Sequence, residues 1–144
     1  YSRHLLVLAG ELRLQSAEGW ETLLRPGEQC SFRGDTPITS YGLATDFNLM
    51  IGPGWDGGLT HIVLDPGERR AWRPADTVQH ALVYCGQGQV SIAPANSRTH
   101  NLDAGDLMWA TSRAGCLGSF DIVSHRNTQS TVVLVTVAYE QIPS

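Results

Sequence analysis

Four side chains in the first fifty residues have the chemistry to hold a small polar molecule: Arg3, Asp46, Asn48 and Met50. Arg3 shares a strand face with Leu5, Val7 and Ala9, because side chains two apart on a strand point the same way. A guanidinium on an otherwise apolar face is costly unless it is paired. Two readings are open. Arg3 clamps a ligand carboxylate with two parallel hydrogen bonds, or it reaches water or a structural ion pair from a strand end. Asp46, Asn48 and Met50 occupy one face of their strand, and Phe47, Leu49 and Ile51 the other. That run reads as buried on both sides, where an unpaired polar group costs about 1–3 kcal/mol. Asp46 is then expected to orient Arg3, and Asn48 to present a donor and an acceptor to a ligand. Alternatively Asn48 serves neighbouring backbone and Asp46 fixes a bend.

The remaining reactive side chains point elsewhere. The five histidines, at positions 4, 61, 80, 100 and 125, include no two within two positions of each other. Close spacing is what brings two imidazoles onto one strand face around one ion, so no metal site and no cofactor is expected. His4 and His80 read as partly buried structural residues. Cys30, Cys85 and Cys116 have no CxxC spacing and no lysine beside them, so all three read as buried, inert thiols. No nucleophile elbow is present, so no catalytic residue is assigned. The stretch Gly52 to Gly58 is glycine-rich but holds no basic residue and precedes no helix; it reads as a loop, with Trp55 packed at its junction. Glu68 to Arg73 places three arginines around Trp72, a pattern read here as a solvated edge strand.

Charge narrows the partners. The 144 residues carry a net charge of −4, and all ten basic residues are arginine. A duplex-binding domain needs a basic footprint that this chain lacks, so no nucleic-acid partner is expected. With no lysine, Schiff-base chemistry and a P-loop lysine are excluded within these residues. No apolar run approaches the roughly 18 residues that span a bilayer as a helix. The odd, scattered cysteines fit a reducing compartment, and a cytoplasmic location is expected. The first residues read as a strand entered midway, so the natural protein is expected to extend upstream of Tyr1.

The elements that must position these groups are strands. Short β-branched or alternating runs recur at 5–8, 11–14, 47–51, 61–64, 81–84, 89–92 and 131–137, and no window holds a good helical period. Leu24-Arg-Pro-Gly-Glu28, Leu64-Asp-Pro-Gly-Glu68 and Leu102-Asp-Ala-Gly-Asp106 are turn signals. The chain also repeats itself. Residues 4–10 align with 80–86 at an offset of 76; after a two-residue insertion the offset is 78, matching Leu12 to Val90 and the first PGE-type turn to the third. Strands over 81–93 and 107–111 should therefore mirror 5–14 and 29–33. Two copies of a unit too small to close a core alone imply a duplicated β-sandwich or barrel, with units at 1–58 and 59–144.

The hairpin, the PGE-type turn and the following strand resemble the arrangement of cupins. Residues 3–10, Leu24 to Glu28, Phe32-Arg-Gly-Asp35 and above all Asp46-Phe-Asn-Leu-Met50 resemble the histidine-utilisation accessory family, HutD or Ves-like. The resemblance covers essentially the whole chain. It implies an all-β bicupin, from a bacterial cytoplasm, acting as an accessory or governor of histidine catabolism. Members carry an N-terminal segment rich in Trp, Asn and Gly that has no counterpart in these residues. The resemblance further implies a ligand such as a formylated or formimino-type glutamate, so the chain is expected to be a metal-free protein that senses a small acidic metabolite. The alternatives are a cupin enzyme, of isomerase or dioxygenase type, with an unrecognised metal site, and a β-scaffold for subunit contacts such as a homodimer.

Overall fold

The computed structural model describes residues 1–95, 97–112 and 117–140. Among the described residues the regular structure is entirely β. The chain divides into two compact units, Tyr1–Trp55 and Asp56–Ser144, with the boundary slightly ahead of the one expected at residue 58.

The first unit holds β1 (Ser2–Gly10), β2 (Leu12–Ser16), β3 (Glu21–Leu24), β4 (Gln29–Arg33), β5 (Ile38–Tyr41) and β6 (Ala44–Ile51). They form two three-stranded sheets, in the orders β4-β1-β6 and β3-β2-β5. Alternation sets which side chains meet. Leu5 and Val7 on β1, Leu12 and Leu14 on β2 and Leu24 on β3 pack with Trp20, Cys30, Phe32, Ile38 and Ala44 into one small core.

The second unit holds β7 (Trp55–Leu64), β8 (Arg69–Trp72), β9 (Val78–Gln87), β10 (Gln89–Pro94), β11 (His100–Asp103), β12 (Leu107–Thr111), β13 (Phe120–Ser124) and β14 (Ser130–Tyr139). Its sheets run β11-β10-β13-β8 and β12-β9-β14-β7. Its core is larger, with Leu64, Val83, Cys85, Ile92, Phe120, Ile122 and Val132 at 0–1% exposure. β8 lies at a sheet edge, with Arg70 paired to Glu68 at 2.8 Å. The glycine-rich stretch is only partly a loop. The turn is confined to Gly52–Gly54, and β7 begins at Trp55, because the two glycines after Asp56 are compatible with extended backbone.

The units share one plan, at an equivalence that differs from the sequence alignment. β1 shifts register against β6 between Val7 and Ala9, and β9 shifts against β14 between Cys85 and Gln87. Gly27 N–H donates to Val7 O at 2.8 Å, and Gly105 N–H donates to Cys85 O at 2.7 Å. Gly10 and Gly88 have φ of 78° and 83°; the strands they join, β1 to β2 and β9 to β10, lie in different sheets and do not pair as the hairpins expected from the sequence. Every one of these pairs is 78 residues apart, so no insertion interrupts the repeat. Gly10 therefore corresponds to Gly88 and not to Gly86. His4 corresponds to Leu82, and the two histidines are not repeat-related. Each nevertheless meets a hydroxyl on the neighbouring strand: His4 Nδ1 lies 2.7 Å from Ser31 Oγ, and His80 Nδ1 lies 3.1 Å from Thr111 Oγ1.

The PGE-type turns share one hydrogen-bond pattern. Arg25, Asp65 and Asp103 each donate a backbone N–H to the acidic side chain three residues on, at 2.8, 3.1 and 2.9 Å. Each acidic residue's own N–H returns to the carbonyl of the first at 2.9 Å. A carboxylate that accepts from backbone in this way fixes the turn, and with it the strand that follows.

Candidate functional site

The sheet β4-β1-β6 places all four candidate residues on one face. Arg3 stands opposite Phe32 on β4 and Met50 on β6; Leu5 is opposite Cys30 and Asn48; Val7 is opposite Asp46. Directly paired residues in an antiparallel sheet share a face. This is the face that carries Leu5 and Val7 into the core of the first unit, so the polar groups are on its inner side.

The burial on this face is graded. Leu5 is 5% exposed and Val7 wholly buried, Arg3 and Phe32 are half-buried, and Asp46, Asn48 and Met50 are exposed, Met50 at 61%. This corrects the expectation of a strand buried on both sides. β6 is an edge strand of its sheet, so one face of its central run meets solvent.

The hydrogen bonds also run in a different order from the one expected. Arg3 Nη2 donates to Asn48 Oδ1 at 2.9 Å, and Asn48 Nδ2 donates to Asp46 Oδ2 at 2.5 Å. Asp46 does not hold Arg3 directly; the amide of Asn48 lies between them. The physical reason is register. Asp46 sits opposite Val7, four residues along β1 from Arg3, and Asn48 fills the intervening step. The amide satisfies both neighbours at once, since its oxygen accepts and its nitrogen donates. Met50 has its backbone opposite Arg3 and lines the same face with an apolar side chain.

Two residues of this face carried no role in the sequence reading. Phe32 lies beneath the guanidinium, with Arg3 Cζ 5.1 Å from the ring centroid. This flat platform orients the planar fork and contributes about 0.5–1 kcal/mol or more where water is excluded. Cys30 lies beside it, half-buried rather than fully buried as expected, and burial pushes its thiol pKa up. The alternation Cys30-Ser-Phe32, apolar at every second position, is the signal from which both could have been placed. Cys85 is buried, its pKa also raised by burial; Cys116 lies outside the described residues.

One donor of the site is unmatched. Arg3 Nε is buried and has no hydrogen-bond acceptor among the described residues. Nε–H and one N–H of Nη2 form one edge of the guanidinium fork, the edge that grips a carboxylate with two parallel bonds. Asn48 occupies part of Nη2 and leaves Nε unserved. Among the described residues no group of three or more His, Cys, Asp and Glu side chains converges as a metal site would require, and no helix is long and apolar enough to cross a membrane.

No curated protein matches this sequence. Several solved structures do match its fold. A Pseudomonas aeruginosa PAO1 protein of unknown function, PA5104, aligns with a TM-score of 0.81 at 22% identity, over 95% of this chain and 70% of its own. HutD from Pseudomonas fluorescens SBW25 aligns with a TM-score of 0.70 at 21% identity, over 97% of this chain and 69% of its own. A cupin 2 conserved barrel domain protein from Leptotrichia buccalis aligns at 0.53 and 10% identity, over 94% and 73%. The fold is thus all-β and cupin-like. Residues 1–131 match the HutD family, and with Arg3 to Met50 inside that span the chain belongs to this family of histidine-utilisation-related proteins.

Proposed function

We propose that this protein is an accessory protein of histidine catabolism that senses a small acidic metabolite, bound on the inner face of β1 and β6 without a metal. The observation that carries the reading is the buried, unmatched Arg3 Nε. A buried donor left without an acceptor costs on the order of 1–3 kcal/mol, and a carboxylate on the fork removes that cost. Phe32 beneath the guanidinium and Asn48 at its side fix the fork before any ligand arrives, which lowers the ordering cost of binding. Asn48 and Met50 are exposed beside it at the sheet edge, and a carboxylate reaches the buried Nε by displacing the side chains that cover it. The chemistry asked of these groups is recognition, for which a guanidinium and an amide suffice.

The test is calorimetric titration of the protein with N-formylglutamate and with other small carboxylates. Arg3→Ala is expected to weaken binding at least roughly 30-fold, the effect of about 2 kcal/mol from a desolvated charge pair. Arg3→Lys should recover only part of that, because the planar fork is lost. Unaltered affinity in Arg3→Ala would reject the assignment and return Arg3 to a structural role.

A further inference from the structure

We infer that the molecule held by Arg3 also carries a cationic group, an ammonium or amidinium, and that Asp46 selects it. The inference rests on the ligand site proposed above and extends it to the choice among small acids.

Asp46 points from the same inner face as Arg3, separated from it by the width of one amide. Asn48 occupies Asp46 Oδ2, and the other carboxylate oxygen has no hydrogen-bond or ion-pair partner among the described residues. No arginine pairs with Asp46; the five ion pairs of the described residues all involve other carboxylates. The face therefore presents one buried guanidinium N–H without an acceptor and one carboxylate oxygen open to water. Their charges sum to zero, so an anion that fills the guanidinium edge leaves the carboxylate uncompensated.

A ligand with negative charge alone suits only half of this arrangement. Its carboxylate would bind the Arg3 edge, while any carbonyl oxygen laid against Asp46 would meet a second acceptor with no proton between them. A ligand whose corresponding atom is a cationic N–H donor removes that repulsion and adds a charge-assisted hydrogen bond. Asn48 cannot be the discriminator. Its oxygen is committed to Arg3 and its nitrogen to Asp46, and it cannot turn over without breaking both bonds.

Two nearly isosteric probes separate these cases. N-formylglutamate carries a carbonyl oxygen where N-formiminoglutamate carries a protonated nitrogen, and both carry the same two carboxylates. Titrated into the protein at low ionic strength, the formimino compound is expected to bind about 10-fold tighter, a modest factor because Asp46 is exposed and screened. The ratio of the two affinities is the readout. Asp46→Asn should bring it to about one, and Asp46→Lys should invert it in favour of the formyl compound. Circular dichroism and thermal melts on both variants check the fold, which an exposed edge-strand position should preserve. Equal affinities in the parent would overturn the inference and leave the carboxylate site standing. So would an Asp46→Asn variant that weakens both probes by the same factor, which would make Asp46 only a support for Asn48. Failure of both probes to bind the parent would remove the site itself.

Discussion

The inner faces of the two units are built from the same strands in the same register and filled with opposite chemistry. Arg3, opposite Phe32 and Met50 in the first unit, corresponds to Ala81, opposite Ala110 and Thr136 in the second. Asn48 corresponds to Leu134 and Asp46 to Val132. Ala81 and Val132 are wholly buried and Leu134 is 5% exposed, so the second unit closes its interior with hydrocarbon where the first keeps a guanidinium, an amide and a carboxylate. The same strand pairing carries a closed apolar face in one unit and a partly exposed polar face in the other. A polar, partly open face gives up apolar burial, worth about 25 cal/mol per Å², and presents the groups on which the proposed recognition rests. The larger apolar core belongs to the unit without the polar group. This division is why the candidate site is assigned to the first unit alone.

The strongest way to break the comparison is to move the chemistry. Ala81→Arg puts the guanidinium of the first unit at its counterpart in the second. Its neighbours there are Ala110, Thr136, Val83 and Leu134, which offer no carboxylate and no amide. A buried charge without a partner is expected to cost about 3–5 kcal/mol, read as a lower midpoint in urea unfolding. A variant as stable as the parent would mean that the second interior is roomier and wetter than its burial implies, and the contrast between the units would weaken.

The equivalence itself can be tested at the glycines that carry the chain from one sheet to the other. Gly88, not Gly86, is the counterpart of Gly10, and both have positive φ. A Cβ at Gly10 would stand 2.2 Å from Leu43 O, and at Gly88 2.4 Å from Ser130 Oγ and 2.6 Å from Gln129 O. At Gly86 the nearest atom is Thr131 Oγ1 at 3.3 Å, and no positive φ is required. Gly10→Ala and Gly88→Ala are each expected to cost about 2–3 kcal/mol, and Gly86→Ala less than about 1 kcal/mol. If Gly86→Ala were the damaging one, the alignment with an insertion would be restored.

That alignment shows where sequence reading stops. The apolar alternation of residues 5–8 and 81–84 was legible, and so was which side chains share a face. An even shift of two residues preserves every inward and outward assignment, so the hydrophobic pattern cannot distinguish an offset of 76 from one of 78. The identities His4/His80 and Gly10/Gly86 favoured the wrong one; backbone φ and the shared register shift decide the matter. The grouping of Arg3, Asp46, Asn48 and Met50 on one face could likewise be read once β1 and β6 were taken as neighbours. The order of their hydrogen bonds could not, since it depends on register across 45 residues of chain. Nor could the exposure of β6, which follows from its place at a sheet edge. β5 escaped because Ile38-Thr-Ser-Tyr41 places only one apolar side chain in the core.

The smallest expected effect concerns the turns that the units share. All three close a backbone N–H onto a carboxylate, but in the second unit Glu68 also pairs with Arg70. The backbone bond from Asp65, then the Arg70 bond, hold the Glu68 carboxyl below its ordinary pKa near 4.5. A carboxyl depressed in the folded state binds its proton more weakly there than in the unfolded chain. Its contribution to stability is therefore complete above the ordinary value and is lost as pH falls through the lower, folded one. Glu68→Gln keeps an oxygen for the Asp65 N–H but removes the charge that Arg70 meets. The variant should melt slightly below the parent near neutral pH, and the gap should close as pH is lowered beneath about 4.5. Glu68 is half-buried and its partner Arg70 is exposed, so the pair is reached by solvent ions and the gap should also shrink with added salt. Thermal melts of both proteins across that pH range measure it directly. A gap that widened toward acid would show that the charged form is not the one this turn favours, and the second member of the turn series would then owe its geometry to Pro66 and Gly67 rather than to its carboxylate.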